Sequence, residues 1–188
     1  APSRALRRRL RPGHSRMTVG YVDEVLEPWG RVTRRRHQVA HPRHRSEAAA
    51  LVTAAAATGS SLLGVGLHRS YGDSGLNPEA KILDCRGLDR FMAFDARLGL
   101  LRAESGVSLG EILRLIVPHG WFLPVTPGTL SVTLAGAIAN DVHGKNHHRQ
   151  GSFGRHVRRI GLVRSDLGDL ELSPEEHPDL FLATLGGL

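Results

Sequence analysis

Leu62–Asp73 reads LLGVGLHRSYGD, and the fold turns on how that stretch is read. The apolar run Leu62–Val65 has the length and composition of a short buried strand. It breaks into a loop carrying Gly66, Arg69, Ser70, Tyr71, Gly72 and Asp73, followed by an open turn at Ser74–Pro78. Glycine permits positive φ and close backbone approach, so such a loop can offer N–H groups and hydroxyls to an anion. Gly64-x-Gly66 would begin a dinucleotide fingerprint, but Arg69 stands at its third glycine and a turn follows where a helix is required. That reading is excluded. An ordinary polar turn and an anion cradle remain.

A second stretch of the same character is Pro124–His148, PVTPGTLSVTLAGAIANDVHGKNHH. The turn Thr126-Pro127-Gly128-Thr129 leads into a small-residue helix predicted over Ser131–Ala139, where Thr133, Ala135, Gly136 and Ala137 leave little side-chain bulk. A helix start with free N–H groups can receive a phosphate against its dipole. Tight helix packing through Ala and Gly explains the same residues. Beyond it, His143 and His147 have the i, i+4 spacing of a zinc pair. The accompanying glutamate is missing, and Gly144 and Asn146 disfavour a helix, so no metal is predicted. His143 and Lys145 read either as part of a solvated basic loop or as groups facing a site, the imidazole exchanging a proton with a hydroxyl and the ammonium holding an anion.

The remaining chain interleaves helices with short strands. Ser46 is a good N-cap for a helix over Ala48–Thr58 closed by Gly59. Lys81–Asp84 reads as a second strand, and Arg90–Asp95 with Leu98–Glu104 as a hairpin about Ala96–Arg97. Ser108 and Glu111 form a capping box for an amphipathic helix stopped by Pro118. A strand is predicted at Phe122–Val125 and a hairpin from His156–Val163 and Asp169–Leu172. Ser173–Glu176, with Pro174 at the first helical position, opens a last helix toward Leu185. Tyr21–Arg45 has no clean period. The class is α+β, without the regular βαβ beat of a doubly wound sheet.

Composition narrows the function. The 188 residues, 40% hydrophobic, can bury a core, and no apolar run reaches the ~18–20 residues of a membrane span. Cys85 is the only cysteine, which excludes an internal disulfide framework and suits a reducing compartment such as the cytoplasm, with attachment to a membrane surface left open. The net charge of +7 suggests nucleic acid. Yet Ala1–Arg16 and Arg31–Arg45 each hold six arginines and no acid, while the whole chain has 25 basic and 18 acidic residues. The body is therefore mildly acidic, and no aromatic stacking platform accompanies the arginines, so no nucleic-acid partner is predicted, with a basic nucleic-acid-associated module kept as the alternative from another class. Clustered His37, His41 and His44 are interrupted by Pro42, which argues against a preorganised metal site. Residues 1–16 read as a basic tail without ordered structure, 17–45 as an N-terminal arm, and 46–188 as the folded domain.

The segments GLHRSYGD at 66–73, PGTLSVTLAGAIANDVHGKNHH at 127–148 and GSFGRHV at 151–157 together resemble the FAD-binding domain of the vanillyl-alcohol-oxidase type, the PCMH fold. Within it, the decaprenylphosphoryl-ribose oxidase group and related sugar and aldonolactone oxidases are most similar, and the likeness runs from about Trp29 to Leu188. The resemblance implies FAD as cofactor, held by Gly66, Arg69, Ser70, Tyr71, Gly72, Gly128, Thr129, Thr133, Gly136 and Ala137, with His143 and Lys145 on the substrate side as catalytic groups. It implies oxidation of a sugar or polyol hydroxyl, on a small or lipid-linked substrate, with a partner reductase completing an epimerisation; an alditol or aldonolactone oxidase is the near alternative. Relatives with covalent flavin carry His directly before the Ser-Tyr pair. Here that residue is Arg69, with His68 one place earlier, so the flavin is expected to be noncovalent. Ala135 replaces the first glycine of a Gly-Gly pair. Relatives also continue past Gly186-Gly187 into a substrate domain, so the chain is expected to be the N-terminal part of an FAD domain, truncated at the C-terminus and inactive alone.

Overall fold

The computed structural model describes residues 19–187 apart from 32 and 79. Strands β1 (Val22–Leu26), β2 (Arg35–Ala40), β3 (Leu62–Val65) and β4 (Lys81–Asp84) build one sheet in the order β1-β2-β4-β3. β1 and β2 are antiparallel, and β4 runs parallel to both its neighbours. Helix α1 (Arg45–Ala57) crosses from β2 to β3. Strand alternation gives the sheet two apolar faces. Val39, Ile82 and Leu63 are in register, and Val39 and Ile82 share a core with Leu26, Val65 and Leu76, against which Leu63 packs. Ala40 and Leu83 face the other way, onto Ala48 and Leu51 of α1.

The second half follows as the hairpin β5 (Phe91–Asp95) and β6 (Leu100–Ala103), then α2 (Leu109–Ile116), α3 (Leu134–Ala139) and α4 (His147–Gln150). The hairpin β7 (Ile160–Arg164) and β8 (Gly168–Leu172) and the helix α5 (Pro178–Thr184) complete it. Its core is separate. Leu109, Ile112 and Ile116, one stripe of α2, bury with Val107, Val125, Ala137 and Phe153, the apolar spacing of an amphipathic helix. Ser108 accepts from the Glu111 N–H and Glu111 accepts from the Ser108 N–H, completing the expected capping box.

The two halves are tied at Arg90. Its backbone N–H and Nε each donate to the Glu104 carboxylate at 3.1 Å, and its Nη2 reaches the Arg43 carbonyl at 2.8 Å. The Glu104 side chain is only 4% exposed. Gly106 N–H donates to the Leu88 carbonyl at 2.7 Å, and a Cβ on Gly106 would lie 2.8 Å from that oxygen. Glycine is required there by the close approach.

Several elements differ from the sequence reading. Tyr21–Arg45 supplies β1 and β2, so half of the main sheet precedes the expected division at 45/46, and β2 hydrogen-bonds to β4 beyond it. An irregular period conceals them because β2 buries His37, Val39 and Ala40 but exposes arginines. Helix α1 starts at Arg45 behind His44, not at Ser46, because Glu47 accepts from both the Arg43 and His44 N–H groups. Phe122–Val125 is not a strand. The Pro124 carbonyl is taken by Asn146 Nδ2 at 2.9 Å, and proline has no N–H for a ladder. α3 starts at Leu134 with Thr133 as N-cap, and the last helix starts at Pro178, not Pro174. The Ser173 hydroxyl closes a turn on the Glu175 and Glu176 N–H groups instead of starting the helix. The tail expected over 1–16 lies outside the described residues.

Arg90→Met keeps the stem and leaves Glu104 buried without its partner. The expected loss is about 2–3 kcal/mol, measured by urea unfolding, with part restored when Glu104→Gln is added.

Candidate functional site

The loop of interest leaves the C-terminal end of β3, at the edge of the sheet, and runs as Gly66–Ala80 to the parallel strand β4. Ligands of open sheets lie outside such strand ends. Among the described residues, none of the backbone N–H groups from Leu67 to Gly72 finds an acceptor in the protein. His68 (φ 52°) and Gly72 (φ 63°) adopt left-handed conformations, of the kind that anion nests use. Arg69 donates from Nη1 to the Leu67 carbonyl at 2.9 Å, and its guanidinium lies 4.8 Å from the Trp29 ring centroid. Ser70 and Gly72 are exposed, and the Tyr71 ring is 87% exposed.

This loop meets the second stretch at one point. A Cβ on Gly66 would collide with Thr133 Oγ1 and lie 2.9 Å from its Cγ2. Thr133 is buried, and its Oγ1 accepts from the Gly136 N–H at 3.2 Å. Gly66, Thr133 and Gly136 are therefore brought together.

The helix start corrects one expectation. The N–H of Leu134 donates to Val107 O at 2.7 Å, that of Ala135 to Ser105 O at 3.1 Å, and that of Ala137 to Thr133 O at 2.9 Å. With Gly136 held by Thr133, no free donor remains on the first turn to receive a phosphate. Ala137 lies wholly in the second core, away from any surface. Gly128 and Thr129 sit on the exposed loop before α3. A Cβ on Gly128 would meet open space, and Thr129 Oγ1 accepts from the Ser131 N–H at 3.1 Å.

His143 and Lys145 are both exposed. Their loop is fixed by a bridge from His143 to Ser152 and by Gly144, where a Cβ would approach Thr126 O to 2.7 Å. The His143 and His147 rings meet edge to face at 5.7 Å. From His143 to Arg159 the chain carries Lys145, Arg149, Arg155, Arg158 and Arg159 and no acid, and all five are exposed. That run was visible in the sequence but is diluted when charge is summed over the whole body.

Charged groups underlie the loop. His41 lies between Glu24 Oε1 at 2.6 Å and Asp84 Oδ2 at 3.2 Å, and Arg86 Nε reaches both Asp84 oxygens at 2.9 Å. Burial alone would raise the Asp84 pKa; the Arg86 hydrogen bonds and charge outweigh it and hold the carboxyl below the usual range. His68 is pushed the other way. Burial first, then the positive charge of Arg86 and Arg69, lower its pKa, so the imidazole is kept neutral. Its Nδ1 is buried without a partner. Burial also pushes the Cys85 thiol up to about 11, which leaves it unreactive as a nucleophile.

Free N–H groups, an orphaned imidazole nitrogen and open space at Gly72 and Gly128 fit a polar, phosphate-bearing ligand. A parallel sheet edge feeding such a loop, backed by a small-residue helix, defines the class: a domain that binds an anionic cofactor. Residues 37–171 match the FAD binding domain family. The chain belongs to that family, of PCMH type, and FAD is its cofactor. Decaprenylphosphoryl-beta-D-ribose oxidase of Mycolicibacterium smegmatis is 42% identical over 139 residues, 73% of this chain and 30% of that protein. Human Delta(24)-sterol reductase is 30% identical over 89 residues, 47% of the chain and 17% of the reductase. L-galactono-1,4-lactone dehydrogenase 1 of rice is 28% identical over 124 residues, 61% of the chain and 21% of the dehydrogenase. The chain spans less than a third of the length of these curated relatives.

Gly66→Ala forces Thr133 away and is expected to cost about 1–3 kcal/mol. Gly72→Ala meets nothing and pays only for its left-handed backbone, about 1 kcal/mol; urea unfolding of both variants checks the order. The His68 shift has a definite sign. In the unfolded chain an ordinary histidine takes a proton near pH 6.5, whereas the buried ring resists it. Stability is therefore retained above that pH and lost as pH falls from there toward the lowered folded value. His68→Asn, which tolerates positive φ, is expected to flatten the decline between pH 7 and 5.

Proposed function

We propose that the protein containing this domain is an FAD-dependent oxidoreductase that oxidises a carbinol of a sugar or polyol. The observation that carries the reading is the run of unpartnered N–H groups at Leu67–Gly72, which fits the diphosphate of the cofactor. When bound, FAD supplies the hydride acceptor. Gly66 admits the Thr133 side chain of the second stretch, and Ser70, Tyr71, Gly72, Gly128 and Thr129 offer exposed donors along the cofactor. Thr133 and Gly136 hold the shape behind it, Arg69 braces the loop, and Ala137 acts from the core.

Oxidising a carbinol breaks one C–H and one O–H bond and leaves a carbonyl, so a proton must be taken up as the hydride leaves. The exposed His143 is suited to accept that proton, and Lys145 to stabilise negative charge on the carbinol oxygen. The 42%-identical relative favours a ribose-like 2′-hydroxyl within an epimerisation, shared with a partner reductase. The lactone dehydrogenase among the relatives supports an aldonolactone or alditol substrate as the alternative. Arg69 in place of a flavin-attaching histidine supports noncovalent FAD.

The purified protein is expected to be yellow and to release all its flavin to the supernatant on denaturation. A folded, colourless protein that ignores added FAD would sink the reading, whereas flavin that stays with the precipitate defeats only the noncovalent claim. His143→Ala and Lys145→Ala are expected to keep flavin bound while slowing its bleaching by a sugar substrate about 10²-fold; loss of flavin instead would move both residues to the cofactor side.

A further inference from the structure

We infer that Trp29 is a positioning residue of the cofactor site, holding the Leu67–Gly72 loop in its anion-accepting shape through Arg69; the inference rests on the flavin reading above. Trp29 lies in the connection between β1 and β2 and precedes the matched residues 37–171. That connection is closed by Arg31 N–H donating to the Pro28 carbonyl at 3.0 Å.

The physical need for such a residue follows from the loop itself. Backbone N–H groups kept free for a ligand cannot also hold the loop in place, so a preorganised cradle of this kind must be fixed by other contacts. The loop's own ties begin late. Ser74 Oγ donates to Tyr71 O at 3.0 Å, holding only the C-terminal end of the cradle, and Leu76 N–H donates to Asp73 O at 2.8 Å beyond it. Within Leu67–Ser70 the fixing contacts are the half-buried ring of His68, with its Nδ1 shielded, and the guanidinium of Arg69. That guanidinium bridges two elements, donating to Leu67 O at 2.9 Å while it stacks on Trp29 at 4.8 Å. Trp29 is 52% exposed, so packing into a core does not account for its place. Indole is the strongest cation–π partner among the aromatic side chains, and a planar guanidinium stacks where an ammonium would not.

The test uses the whole chain and FAD, read by quenching of flavin fluorescence on binding, with Trp121→Phe as background so that Trp29 emission also reports. Trp29→Ala is expected to weaken FAD binding about fivefold, and Trp29→Phe, which keeps an aromatic face, to restore most of it. The double variant Trp29→Ala, Arg69→Gln is expected to bind no more weakly than Arg69→Gln alone. Without FAD, tryptic cleavage after Arg69 is expected to be faster in Trp29→Ala than in the parent. Circular dichroism identifies any variant that fails to fold, in which case Trp29→Phe and Arg69→Gln carry the comparison: similar weakening by Arg69→Gln and preserved binding by Trp29→Phe support the clamp. Unchanged FAD affinity and cleavage in a folded Trp29→Ala, or additive losses in the double variant, would overturn it. If the parent chain takes up no FAD, the flavin reading fails, and the cleavage rates alone still decide whether Trp29 holds the loop.

Discussion

The contact between Gly66 and Thr133 is the constraint on which the arrangement depends. One residue ends the first strand-to-loop passage and the other caps α3, and they approach until no Cβ fits between them. Through Thr133 Oγ1 the contact continues to Gly136, and through Ala137 to the core of α2. Glycine is needed at 66 because the Thr133 side chain occupies the space a Cβ would take. The cradle is therefore set by packing between the two halves, and Arg90, held by Glu104, ties those halves at a second place through the Arg43 carbonyl.

The site's electrostatics are built from below. Asp84, nearly fully buried, would be costly if unpaired; Arg86 takes both its oxygens, and His41 links it to Glu24. Carboxylate charge close to the loop is thus neutralised before it can repel a diphosphate. His68 completes this arrangement, since its partial burial and the nearby positive charge of Arg86 disfavour a further cation there.

The sequence made β3 and β4 legible to the residue and α2 legible at its start, because each has a local signal sufficient by itself: a bounded apolar run, or a capping box followed by an amphipathic stripe. It concealed β1 and β2 because β1 exposes Val22 and Val25 and β2 exposes its arginines, so neither shows a clean alternation. It misplaced α5 because Ser173 and Pro174 look like a helix start while Ser173 in fact closes a turn. For the site, the two glycine-bearing stretches were legible as places where a ligand could approach. Their contact was not, since the pairing of Gly66 with Thr133 is a tertiary fact, and neither was Trp29, which has no motif and acts only through a neighbour distant in sequence.

The occupied donors of α3 change how the second stretch works. A helix start is usually invoked as an anion site because its first N–H groups lack partners, but here Val107, Ser105 and Thr133 take them. Those same bonds join α3 to the segment leading into α2, so satisfying the helix is what anchors it. On the function proposed above, hydrogen bonding to a phosphate-bearing ligand is assigned to the loop after β3, whose N–H groups from Leu67 to Gly72 are unpartnered. Gly66 packs against the Thr133 side chain that caps α3, and Gly136 in turn lies close to that side chain. Ala135 is tolerated in such a scheme because its N–H faces Ser105 and not a ligand, so the position asks for a small side chain more than for none.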